Sequence, residues 1–200
     1  MRPASSAGRL LAAGVLAAAL LTGAGPAAAA SAAAARPSGA HERLRPLADL
    51  SAQRLATADL VAAAKYGAGG PIDDPAREKV VLDTAARQAR EAGADPAATV
   101  RIFRDQIEAG KLVQRELFRR WDADPGQAPD ERPDLAEARE EINRVNGELV
   151  RGIAASERAR TSPRCGGALT VAAVRVRHGA RLDALHSVGL GRALRSVCSG

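Results

Sequence analysis

Residues 44–71 read LRPLADLSAQRLATADLVAAAKYGAGGP, and the fold class turns on this stretch. Leu44, Leu47, Leu50, Leu55, Ala58, Val61 and Ala62 recur with helical three-to-four-residue spacing, and the pattern ends at the glycines from Gly67 to Gly70 and at Pro71. That period predicts one long helix ending near Gly67. Composition agrees. The 200 residues are 46% hydrophobic, but only four are aromatic, and the apolar content is mostly Ala, Leu and Val. A β-sandwich or barrel lacks its usual residues here, whereas a helical core does not. The length suits one domain, so the expectation is an all-α fold, a bundle of about six helices.

Working toward the C-terminus, Asp74 stands at an N-cap position with Glu78 a turn later. A second helix follows, carrying Val80, Val81, Ala85 and Ala89 to about Glu91 and stopping at Gly93. Asp95 and Pro96 restart the chain as N-cap and first helical residue of a third helix, which carries Val100, Phe103, Ile107, Val113, Leu117 and Trp121. Residues 122–133 are rich in Asp, Pro and Gly and read as a surface loop. Asp134 then caps a fourth helix with Leu135, Ala138, Ile142, Val145, Leu149 and Ile153 on one face. Residues 169–197 read as a helical hairpin, although Val174-Arg175-Val176-Arg177 alternates like a strand.

Toward the N-terminus the pattern changes character. Arg2 and Arg9 precede an apolar run over 10–21, and Ala28-Ala29-Ala30 offers a small-residue cleavage site. Residues 1–30 therefore read as a signal peptide cleaved after Ala30, too short and wrongly flanked for a membrane span. Residues 31–40, rich in Ala, Ser, Pro and Gly, are expected to be a disordered linker. The expected product is an exported protein, secreted or periplasmic, that has no membrane partner once the signal is removed. Its helical core covers 41–160 and a C-terminal extension covers 161–200.

Losing Arg2 and Arg9 reduces the net charge from +6 to +4, an ordinary solvated excess. Nucleic acid is not an expected partner, because neither aromatic platforms nor a concentrated basic stripe is visible. Two cysteines suit an oxidising compartment, where Cys165 and Cys198 have one intramolecular pairing. A bridge between them would contribute roughly 3–4 kcal/mol in the chain-entropy model. His178 and His186 show no zinc-ligand spacing to either cysteine. With His41, they read as solvent-exposed helix residues, and no metal or other cofactor is expected.

Arg54 and Lys65 are 11 residues apart, about three turns, which brings them within about 20° of one face. Asp74, Arg77 and Glu78 stand at i, i+3 and i+4. Gly110 and Gln114 are a turn apart in the third helix, and Arg139 lies in the first turns of the fourth. Singly, each is an ordinary surface residue or local ion pair. As a set, the cations, Glu78 and Gln114 describe a polar pocket for a small dianion.

These residues carry a resemblance. The blocks QRLATADLVAAAKY (53–66), PIDDPARE (71–78), FRDQIEAGKLVQ (103–114), Trp121 with its Pro-rich loop, PDLAEAR (133–139) and the Cys165/Cys198 pair follow one another in the order and spacing of the all-helical (AroQ) chorismate mutases, and resemble their secreted subclass most. The resemblance spans about Leu44 to Cys198. It implies a type II chorismate mutase fold and rearrangement of chorismate to prephenate without metal or covalent intermediate. Arg54 and Arg139 would then hold one substrate carboxylate and Arg77 the other. Lys65 and Gln114 would donate to the ether oxygen, and Glu78 would bind the ring hydroxyl with Asp74 in support. Gly110 stands where relatives often carry a Ser or Thr, and Val81 where secreted relatives can carry a Gln. Such relatives are often homodimers, which nothing in this sequence decides. A second reading, a secreted helical module that captures a dicarboxylate without turning it over, predicts the same helices.

Overall fold

The computed structural model describes residues 39–198. Those residues form seven α-helices and no strand: α1 (Ala40–Lys65), α2 (Pro75–Glu91), α3 (Pro96–Ala123), α4 (Leu135–Ala155), α5 (Glu157–Arg160), α6 (Cys165–Gly179) and α7 (Ala184–Ala193), with a single 3₁₀ turn at Pro125–Gln127. The signal-peptide reading, and the linker reading up to residue 38, lie outside the described residues.

Local chemistry sets the helix starts. Asp74, Asp95, Asp134 and Asp183 each accept a hydrogen bond from a backbone N–H in the first turn of the following helix, and Pro75 and Pro96 occupy first positions that need no N–H. The first helix starts at Ala40, earlier than its apolar pattern, and runs through Pro46. Packing overrides the lost hydrogen bond: Leu44 and Leu47 are fully buried, and Glu42 is held by Arg175 of α6 at 2.7 Å.

Helix α1 is the axis of the molecule, packed against α3, α4, α6 and α7, while α2 lies on α3 and α4. Its buried residues join Ile102, Phe103 and Val113 of α3 and Val150 and Ile153 of α4 in one core. The crossing with α7 is close because Gly189 carries no side chain: a Cβ there would sit 2.8 Å from Leu55 Cδ2. A second cluster clamps the C-terminal end of α1 to α3, with the Tyr66 ring 5.1 Å from Trp121 and 5.3 Å from Phe118.

The VRVR segment is helical. Its alternation is overruled by the stripe Leu169, Ala172 and Val176, which faces α1 at steps of three and four, while Val174 is exposed. The two arms of the C-terminal hairpin pack on the core more than on each other, α6 against α1 and α7 mainly against α3. The Cys165–Cys198 disulfide, with a Cα–Cα distance of 5.6 Å, ties the start of the first arm to the end of the second.

Candidate active site

The C-terminal turn of α1, the start of α2, the middle of α3 and the start of α4 face one another across a concave site. Its cavity measures about 130 Å³. Arg54, Lys65, Asp74, Arg77, Glu78, Val81, Gly110, Gln114 and Arg139 all line it, among apolar side chains such as Val61, Ile72, Ile107 and Ile142. Residues separated by up to 85 positions in the chain thus meet at one site.

Arg54 is buried, 9% exposed. Its Nε donates to Asn146 Oδ1 at 2.8 Å and its Nη1 to the Gln106 carbonyl at 2.9 Å. Both acceptors are neutral, and burial lowers the guanidinium pKa to about 10, which still leaves it charged near neutrality. Lys65 closes α1. Gly67 and Gly69, both at positive φ, turn the chain back so that the Pro71 carbonyl accepts from Lys65 Nζ at 2.7 Å. Burial lowers the Lys65 pKa and the positive charge of Arg139 adds to the effect, against nearby carboxylates led by Asp74.

Asp74 caps α2 by accepting from the Arg77 backbone N–H at 3.0 Å, so it positions the residue beside it. The Arg77 side chain reaches Asn143 Oδ1 at 3.4 Å. Gln114 is buried. Its Nε2 donates only a long 3.3 Å bond to the Gly110 carbonyl, and its Oε1 has no partner. A Cβ built on Gly110 would meet nothing closer than Gln114 Nε2 at 4.0 Å, so the wall is open there. Arg139 lies at the exposed rim.

Sequence reasoning missed Lys111, which also lines the site and pairs with Glu78. It also missed Asn146 and Gln106, the supports of Arg54. The reading of His186 as solvent-exposed is corrected: its side chain is 16% exposed and bridges Asp59 of α1 and Asp183. Among the described residues no cluster of His, Cys, Asp and Glu is arranged to hold a metal.

A family model described as chorismate mutase type II matches residues 45–115. Over 155 residues the chain is 39% identical to the secreted chorismate mutase of Mycolicibacterium smegmatis, covering 78% of this chain and 86% of that one. The secreted chorismate mutase of Mycobacterium tuberculosis is 34% identical over 164 residues, 82% of each chain. The crystal structure of chorismate mutase from Burkholderia phymatum superposes with a TM-score of 0.76 at 32% identity, covering 80% of this chain and 99% of that one. Sequence and architecture therefore agree that the chain belongs to the chorismate mutases, in their all-helical type II (AroQ) class.

Proposed function

We propose that the protein converts chorismate to prephenate by positional and electrostatic catalysis in the pocket between α1, α2, α3 and α4. One observation carries this reading. Arg54, Lys65 and Arg77 line a single concave site, and their side-chain hydrogen bonds run to neutral oxygens. Their charge is thus kept for an anionic guest.

The rearrangement breaks an ether C–O bond while a C–C bond forms in the same molecule, and it needs no nucleophile or proton relay. The site must hold the side chain folded over the ring and stabilise charge growing on the ether oxygen. Arg54 and Arg139 suit one carboxylate and Arg77 the other, because guanidinium forks fix orientation as well as charge. Lys65 and Gln114 are the donors to the ether oxygen. The single long bond of the Gln114 amide means that turning Nε2 toward substrate gives up little. Glu78 is the acceptor for the ring hydroxyl.

The test is direct: purified protein should deplete chorismate absorbance with recovery of prephenate. Binding without depletion supports instead the non-catalytic capture of a dicarboxylate. Gln114→Glu sharpens the assignment. A neutral amide donates at every pH, so the wild-type rate should be nearly flat from about pH 5 to 8, whereas the Glu variant donates only when protonated and should gain activity toward acid. An unchanged pH profile in that variant counts against Gln114. We infer further that the protein is exported, since relatives named as secreted align with it and residues 1–30 have the composition of a signal peptide. No helix among the described residues is long and apolar enough to cross a membrane.

A further inference from the structure

Lys111 lies on α3 with its side chain 11% exposed, and three carboxylates converge on its ammonium: Glu108 at 2.7 Å, Asp73 at 3.0 Å and Glu78 at 3.1 Å. Burial works against its charge, but the hydrogen bonds it donates to Glu108, Asp73 and Glu78 outweigh it and raise the pKa above the ordinary lysine value. Two of the three partners have other means of support. Asp73 is also held by Arg115 at 2.7 and 2.9 Å, and Glu108 is more than a third exposed. Glu78 differs: it lines the substrate pocket with Lys111, and Lys111 is its ion-pair partner.

A carboxylate on the wall of a site for a dianion repels the ligand unless its charge is cancelled, and low local dielectric strengthens that repulsion. We propose that Lys111 is a positioning residue of the mutase site. Its ammonium fixes Glu78 Oε1, offsets the Glu78 charge toward substrate, and leaves Oε2 as the acceptor for the ring hydroxyl. Lys111 acts through Glu78 and does not touch the substrate. The inference rests on the reading of the pocket as a chorismate site.

Steady-state kinetics on chorismate test it with wild type, K111M, K111R, E78Q and the K111M/E78Q pair. K111M should raise KM about tenfold or more while kcat falls less than threefold, and K111R should return KM to within threefold of wild type. In the E78Q background, with no charge to cancel, K111M should change KM less than threefold. A KM in K111M within threefold of wild type, or an equal penalty in both backgrounds, would overturn the proposal and leave Lys111 as a tie between α2 and α3. If K111M alone does not fold, the neutral K111M/E78Q pair decides by the same threefold limit against E78Q. Wild-type protein that leaves chorismate unchanged overturns the mutase reading and this proposal together, whereas a working wild type with an indifferent K111M overturns this proposal alone.

Discussion

Arg54 and Arg192 are both guanidinium groups drawn in between packed helices, but they have different partners. In the pocket, Arg54 meets an amide oxygen and a backbone carbonyl. On the C-terminal side of the molecule, Arg192 meets the buried Asp105 carboxylate at 2.6 Å, and His186 is bracketed by Asp59 and Asp183 at 3.1 and 2.8 Å. The second group is neutralised in place and fastens α7 to α1 and α3. The first keeps its charge toward the pocket, which costs stability and, on the proposed reading, favours an anion there. Burial is common to both; the charge of the partner is what separates this pair.

The largest expected effect tests the pocket half of this contrast. Lys65→Ala removes the donor we propose for the ether oxygen and should raise the activation barrier by about 2.7–4 kcal/mol, mainly in kcat. The melting temperature should move little. A loss under threefold would remove Lys65 from the chemistry.

The structural half is tested by pH. Two carboxylates, led by the Asp59 hydrogen bond, raise His186 to about 9 from an ordinary 6.5. A cation held more tightly in the folded state stabilises fully below about pH 6.5, and that contribution is lost as pH rises through about 9. Each pKa unit is worth about 1.4 kcal/mol. With both aspartates half-exposed, about 2 kcal/mol is a fair expectation after screening. Urea unfolding at pH 6 and pH 10 should show it, and His186→Gln should flatten the difference without changing KM.

Asn146→Asp crosses the two classes. It gives Arg54 a carboxylate partner at an atom already 2.8 Å away. Unfolding stability should hold or rise while KM increases by roughly tenfold, equivalent to about 1.4 kcal/mol of lost affinity. An unchanged KM would mean that the Arg54 charge is not reserved for substrate. The smallest effect belongs to Gly110, an interior residue of α3 with open space beside it. Gly110→Ala should stabilise by about 0.5–1 kcal/mol through helix propensity alone, measurable as a higher urea midpoint.

Most helix boundaries were legible in the sequence because they are written locally: Asp-Pro pairs open α2 and α3, Gly67 and Gly93 follow the ends of α1 and α2, and apolar spacing fills the intervals. The residue types of Arg54 through Arg139 suggested a pocket for a dianion, but individual roles came only from resemblance to a family, since spacing within one helix says nothing about what faces it from another. The unread residues share one property, a distant partner. Asn146 supports Arg54 from 92 positions away, and Asp59 reaches His186 from 127. Gln106, nearly fully buried, links Ser51 to the Ala193 carbonyl across three helices. No local period encodes such contacts. Lys111 shares that difficulty: one position from Gly110, in a helix crowded with charges, it looks like any solvated lysine until α2 is placed against it.

The cluster that clamps α1 to α3 also gives the protein a built-in gauge. The chain has one tryptophan, Trp121, which is 7% exposed and packed on the ring of Tyr66, the residue directly after Lys65. Its fluorescence is therefore expected to report on the end of the helix that carries Lys65, in the unlabelled protein.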